Sequence, residues 1–149
     1  MPSRQSLRAL DRADIILVAP SRCGKTPTSM YLALQHGLFV ANYPLVDEDF
    51  ESTHLPRPIA HLKERLFGIV TSASRLSAVR GERRPDSRYA SLQQVSFELR
   101  SADAMFRAHG IPSVNSSAKS VEEMSAIILQ HLAKVGRRRP GLATRVLSE

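Results

Sequence analysis

Residues 13–19 carry an unbroken apolar run, Ile15, Ile16, Leu17 and Val18. Such a run has no polar face to give to water, so it predicts a strand buried on both sides, as in a parallel sheet. A glycine-bearing turn follows. Residues 25–36 then predict a helix, with Pro27 tolerated in its first turn and Gly37 ending it. Residues 38–42 predict a second strand, ended by Tyr43 and Pro44. Residues 47–58 read as an acidic, proline-bearing loop with a short helix near its start, and 59–65 as helical. Residues 66–71 predict a third strand, 74–82 a short helix, and 83–88 a loop around Pro85. The clearest helix places Leu92, Val95, Leu99, Ala102 and Phe106 at offsets of three and four, one apolar stripe. Ser91 and Gln94 form its capping box, and Gly110 and Pro112 end it. Residues 111–115 predict a short fourth strand. A last helix starts at Ser120, with Glu123 as capping partner and Val121, Met124, Ile127, Ile128 and Leu132 facing the core.

Strands that alternate with helices at this spacing predict βαβ units. The expected fold class is α/β, with a small, mainly parallel sheet flanked by helices. A length of 149 residues suits one domain, and 42% hydrophobic content is enough to bury a core. Aromatic residues at 5%, with no Trp, argue against a single-strand nucleic-acid binder that works by stacking. The net charge of +7 is an excess of arginine. Arginine surface suits nucleic acid, or it suits phosphate groups in a small-molecule or phosphoprotein site. Arg4, Arg8 and Arg12 and the run Arg137, Arg138 and Arg139 read as solvated basic ends, whereas Arg75, Arg80, Arg83, Arg84 and Arg88 form an internal cluster. One cysteine makes no internal disulfide, so a reducing cytoplasm is expected. No signal peptide and no apolar run of about 20 residues is present, so no membrane association is expected.

The candidate chemistry lies in Ala19, Pro20, Ser21, Arg22, Cys23, Gly24, Lys25 and Thr26. The Walker A pattern, G-x-x-x-x-G-K-[ST], stands between a buried strand and a helix. Its backbone N–H groups curl around phosphate oxygens at the positive end of the helix. Here Lys25 would reach the terminal phosphate, Thr26 would offer its hydroxyl to magnesium, and Gly24 lets the backbone pass close. The first position is Ala19 rather than glycine, with Pro20 after it. A positive φ at Ala19 would cost about 1 kcal/mol, and an ordinary φ almost nothing. The expected organisation is a basic leader over 1–12, a P-loop kinase-like domain over 13–135 and a basic flexible tail over 136–149.

The loop with Ser21-Arg22 inside it and Thr26-Pro27-Thr28 after it resembles the phosphoenolpyruvate synthase regulatory protein family, whose relatives regulate pyruvate, phosphate dikinase. Ala41-Asn42-Tyr43-Pro44-Leu45, Leu66-Phe67-Gly68, Glu82-Arg83-Arg84-Pro85 and Ser87-Arg88-Tyr89-Ala90-Ser91-Leu92 are similar to it too. So are Gly110-Ile111-Pro112, and Asn115-Ser116-Ser117 with Ser120-Val121-Glu122-Glu123; the Asn-Ser-Ser version resembles the synthase branch. The matches run from about residue 10 to 133. The resemblance implies an ADP-dependent serine/threonine phosphotransferase that inactivates phosphoenolpyruvate synthase by phosphorylating a threonine. It also implies reactivation by phosphorolysis, in which inorganic phosphate attacks the phosphothreonine and pyrophosphate leaves. The loop from Ala19 to Thr26 is then the ADP site, with magnesium as companion. Family members are nearly twice this long, with an N-terminal half upstream of the loop.

Other candidates follow. Arg83, Arg84 and Arg88 suit the neutralisation of a transferring phosphoryl group, beside Lys25. Asp47, Glu48 and Asp49 suit magnesium or a base, or simply a solvated loop. Thr71-Ser72 stand where a Walker B acid would end the third strand. Cys23 sits at a variable position and is not expected to be a nucleophile, and the five histidines show no metal spacing. The alternatives are a truncated remnant that binds nucleotide or partner without transfer, and a P-loop kinase for a small metabolite. Nucleic-acid binding comes last.

Overall fold

The computed structural model of the protein describes residues 9–138. The chain order is β1 (Ile15–Pro20), α1 (Lys25–His36), β2 (Val40–Leu45), α2 (Arg57–Ala60), β3 (Leu66–Val70), α3 (Ala73–Arg83), α4 (Leu92–Ala108), β4 (Ser113–Asn115) and α5 (Val121–Arg138). Short 3₁₀ turns at Asp47–Glu51 and Lys63–Arg65 lie between β2 and β3. The four strands form one sheet in the order β2-β1-β3-β4, and every pairing is parallel. Val18 on β1 stands opposite Tyr43 on one side and Gly68 on the other. The expected α/β class, with a parallel sheet flanked by helices, is what the chain adopts.

Every residue of β1 is buried, and its side chains alternate between two cores. Ile15, Leu17 and Ala19 pack with Leu32 of α1, Leu76 of α3, and Met124, Ile128 and Leu132 of α5. Ile16 and Val18 pack with Phe50, Ile59 and Leu66 and with Ala102, Met105 and Phe106 of α4. Two-sided burial therefore explains the continuous apolar run. Gly68 admits α4 to the sheet, since a Cβ there would stand 2.5 Å from the Phe106 ring.

Several boundaries differ from expectation for local reasons. β2 does not stop at Asn42 but runs through Tyr43 and Pro44 to Leu45. It is an edge strand, the place where a sheet tolerates proline. The helix expected over 59–65 divides, because Leu62 N–H donates to Ile59 and Arg65 N–H to Leu62, both three residues back. Leu92 does not join the apolar stripe of α4 and is exposed; Met105 takes a core place instead. At α4 only half of the capping box forms, with Gln94 N–H donating to Ser91 Oγ, whereas the Ser120–Glu123 box is complete. α5 continues past Gly136, where a tail was expected, to Arg138. Residues 9–12, assigned to the leader, are helical, and Leu10 is buried. Arg4, Arg8 and Arg139, with the rest of the leader and tail, lie outside the described residues. Among the described residues no helix is long and apolar enough to cross a membrane.

The topology picks out one place. From β1 the chain steps through α1 to β2 on one side, and later returns to β3 on the other side of β1. A crevice opens at the carboxyl ends of the strands where the order reverses, and α/β sheets bind ligands there. The turn from β1 to α1 sits in that crevice.

Candidate nucleotide-phosphate site

The loop leaves β1 at Pro20 and enters α1 at Lys25. Positive φ among non-glycine residues occurs at Arg22 (71°) and Asp86, not at Ala19. Ala19 is a buried strand residue of ordinary φ, so the missing first glycine costs nothing in backbone strain. The left-handed turn falls at Arg22 and at Gly24, the N-cap of α1, with φ 92°. No side chain caps the helix start, so the first-turn N–H groups have no side-chain partner there. An anion is the natural occupant of such a place when the preceding loop folds around it.

Two anchors set the shape of the loop. Arg80, fully buried on α3, donates to the Ser21 carbonyl from Nε at 3.3 Å and Nη2 at 3.2 Å. Ser116, just past β4, donates its hydroxyl to the Cys23 carbonyl at 3.1 Å. In a trans peptide the carbonyl and the following N–H point opposite ways. Pulling the Ser21 and Cys23 carbonyls outward therefore turns the N–H groups of Arg22 and Gly24 away from the anchors.

Arg80 is held in turn. It makes a two-pronged ion pair with the buried Glu98 of α4, Nη2 to Oε1 at 2.7 Å and Nη1 to Oε2 at 3.1 Å. It also donates to the Tyr89 carbonyl at 3.0 Å and stacks over the Tyr89 ring at 4.2 Å. The Tyr89 hydroxyl closes the circuit at 2.6 Å from Ser21 Oγ.

Lys25 is buried, and its ammonium donates to the Pro20 carbonyl at 3.1 Å and the Ala19 carbonyl at 3.5 Å. Burial lowers its pKa to about 8, with the Cys23 thiol opposing and the Arg80 and Arg22 charges assisting. A bound phosphate would return the missing counter-charge. Burial pushes the Cys23 thiol up to about 11, against the pull of Lys25 and Arg80. At neutral pH that sulfur is protonated and unreactive.

The internal arginines separate. Arg80 is an anchor. Arg84 lies 5.5 Å over the Tyr89 ring and, with Arg88, lines a cleft of about 470 Å³ that Tyr89, Glu98, Asp47 and Glu51 also border. Arg83, grouped with Arg84 and Arg88 in the sequence reading, is exposed at the end of α3 and is not part of that lining. Asp49 accepts from the Val46 N–H at 2.8 Å, which makes it a turn cap. Thr26 is exposed on the first turn of α1. Thr71, at the Walker B place, is buried, and its hydroxyl has no hydrogen-bond partner among the described residues. Sequence reasoning missed Glu98 and the anchoring roles of Arg80, Tyr89 and Ser116. Glu98 had a signal: it falls in phase with Val95, Ala102 and Met105, so a carboxylate at a core position demanded a buried cation.

The sequence profile of the kinase/pyrophosphorylase family matches residues 3–129. The chain is 52% identical over 128 residues to a Variovorax paradoxus (strain S110) protein, across 86% of this chain and 47% of that one. It is 48% identical over 128 residues to a Bordetella avium (strain 197N) protein, again across 86% and 47%. It is 52% identical over 119 residues to a Pseudomonas aeruginosa (strain LESB58) protein, across 80% and 43%. All three carry the provisional description phosphoenolpyruvate synthase regulatory protein. The chain spans about half the length of these curated relatives.

Proposed function

This chain belongs to the kinase/pyrophosphorylase family, and we propose that it is the nucleotide-binding part of an ADP-dependent serine/threonine phosphotransferase whose protein substrate is phosphoenolpyruvate synthase. The observation that carries this reading is the loop itself: an uncapped helix start behind Gly24, with the buried amine of Lys25 beside it. The names of the relatives supply the target. In the forward step a threonine hydroxyl oxygen attacks the β-phosphorus of ADP. The bond from that phosphorus to the bridging oxygen breaks, AMP leaves with the electron pair, and the hydroxyl proton is released. In the reverse step an oxygen of inorganic phosphate attacks the phosphothreonine phosphorus. The bond to the threonine oxygen breaks, that oxygen takes a proton, and pyrophosphate departs.

Phosphoryl transfer asks the protein mainly for position and charge neutralisation. The N–H groups of the loop and of the first turn of α1 hold the diphosphate. Lys25 leaves the Pro20 carbonyl for a phosphate oxygen. Arg84 and Arg88 face the cleft next to Tyr89, where charge on the moving group would be met. Magnesium, when bound, neutralises the phosphate oxygens. The oxygens of Thr26 and Thr71 suit it, and among the described residues no cluster of three acidic, His or Cys side chains supplies a carboxylate cage. Were magnesium bound with the nucleotide, the hydroxyls of Thr26 and Thr71 would be the protein oxygens available to hold it. The compartment is the cytoplasm, where Cys23 stays a thiol.

The test is incubation of the chain with the synthase and ADP, followed by detection of phosphothreonine. A longer relative serves as control. Product from the relative and none from this chain would end the claim of activity. ADP affinity lost in Lys25→Ala, with no turnover in the unsubstituted chain, would instead select binding without transfer.

A further inference from the structure

The cleft beside Tyr89 has a neighbour. A second hollow, of about 420 Å³, shares Arg88, Gln94 and Phe97 with the first and adds Ser91, Gln93 and Arg100. The two hollows adjoin along the amino-terminal half of α4 and form an open groove. One end is Tyr89, whose hydroxyl touches Ser21 of the phosphate loop at 2.6 Å. The middle holds Phe97, a large apolar side chain still 43% exposed. Arg84, Arg88 and Arg100 line it with Gln93 and Gln94, and the acids Asp47 and Glu51 border the half next to Tyr89. The Gln94 side-chain amide donates to Glu98 Oε2 at 2.9 Å.

We infer that this groove is the seat of the acceptor, an extended polypeptide segment of the protein substrate that presents its hydroxyl at the Tyr89 end. The inference rests on the phosphotransfer reading for the identity of the acceptor. An extended chain offers backbone groups that glutamine amides pair with, and a side chain every second residue on one face. Phe97 takes an apolar side chain of the segment. Arg100, in the hollow away from Tyr89, takes an acidic group flanking the hydroxyl. The continuity from Phe97 through Tyr89 to Ser21 places that hydroxyl next to the phosphate cradle, as transfer requires.

Phe97→Ala and Arg100→Glu test this, because both side chains are exposed and neither belongs to the phosphate loop. Two affinities are measured for each variant: phosphoenolpyruvate synthase by biolayer interferometry, and ADP by titration calorimetry. The expected result is at least a tenfold loss of synthase affinity with ADP affinity within twofold. Unchanged synthase affinity in both variants overturns the inference, and so does a chain that never binds the synthase. Weakened ADP binding in Phe97→Ala overturns it as well, by showing the groove to be a base pocket. The phosphotransfer reading fails separately: if the unsubstituted chain does not bind ADP while the groove variants still release the synthase, the groove stands and the nucleotide assignment falls.

Discussion

The phosphate loop and the arginine-rich stretch after β3 look equally suggestive as strings of residues, yet they reach their chemistry by different routes. In the loop, the proposed binding falls to backbone groups, so spacing and a glycine at the helix start suffice to mark it. In the stretch, five arginines share one chemistry on paper, and burial sorts them. Arg80 is fully enclosed and bound to Glu98, whereas Arg75, Arg83, Arg84 and Arg88 are exposed. The exposed ones can meet a ligand, and the buried one can only shape the loop. A motif read from backbone geometry survives translation into structure, and a motif read from charge is decided by its partners.

The strongest way to break this contrast is Arg80→Ala. It leaves the Glu98 carboxylate buried without its cation, which costs about 3–5 kcal/mol. That is a large share of the stability of a domain this size. Urea unfolding measures it. The double substitution Arg80→Met with Glu98→Leu should recover most of the stability, since two apolar side chains of similar volume replace the pair. It should not recover nucleotide affinity, because the Ser21 carbonyl stays untethered. Full recovery of both would reduce Arg80 to a core residue.

Lys25→Met comes next and separates ligand chemistry from stability in the opposite direction. ADP affinity should fall about 100-fold with loss of the charged contact, while the ligand-free fold becomes more stable. The folded pKa of about 8 lies below the ordinary 10.5, so the unfolded chain binds more protons between those values. The cost of burying the charge is fully present below pH 8 and fades as pH rises toward 10.5. The stability gap between variant and parent should narrow over that window. ADP binding at pH 8.5 should also take up protons, seen as a heat that changes with the buffer's ionisation enthalpy. A buffer-independent heat would show that no phosphate restores the charge of Lys25.

The legibility of the molecule divides along the same line. The run from Ile15 to Val18 announced a doubly covered central strand, and the span of α1 followed from Gly37 and the loop before it. The Tyr43-Pro44 pair misled, because proline ends a central strand but not an edge one, and edge position depends on the strand order. The position of the loop was legible because the strand before it and the helix after it were. Ser116 was not, since its role depends on β4 lying beside β3, a pairing made across 45 residues from Gly68 to Ser113. Arg80 and Glu98 were legible only in part: each sits at a core phase of its helix, but that they meet is tertiary information.

A smaller effect tests the loop side of the contrast. Gly24 sits at φ 92°, and a Cβ there would meet nothing closer than Ser116 Oγ at 3.9 Å. Gly24→Ala therefore adds backbone strain without a clash, about 1 kcal/mol. Thermal unfolding should show that loss alone, and ADP affinity should fall as the loop flattens to relieve φ. An unchanged affinity would mean that the cradle tolerates a relaxed loop.

The smallest effect falls where the two regions touch. Tyr89→Phe removes one hydroxyl, 2.6 Å from Ser21 Oγ, and keeps the ring that Arg80 and Arg84 stack on. A half-buried neutral hydrogen bond contributes about 1 kcal/mol at most, so unfolding should shift little. If Tyr89 is the shared wall of loop and groove, the substitution should weaken ADP and synthase binding by similar small factors. A change in one alone would assign the hydroxyl to that side, and the other region would then hold its shape without it. Equal shifts would mean that the backbone-built site and the charge-built site meet at this contact, with Arg80 behind it holding both.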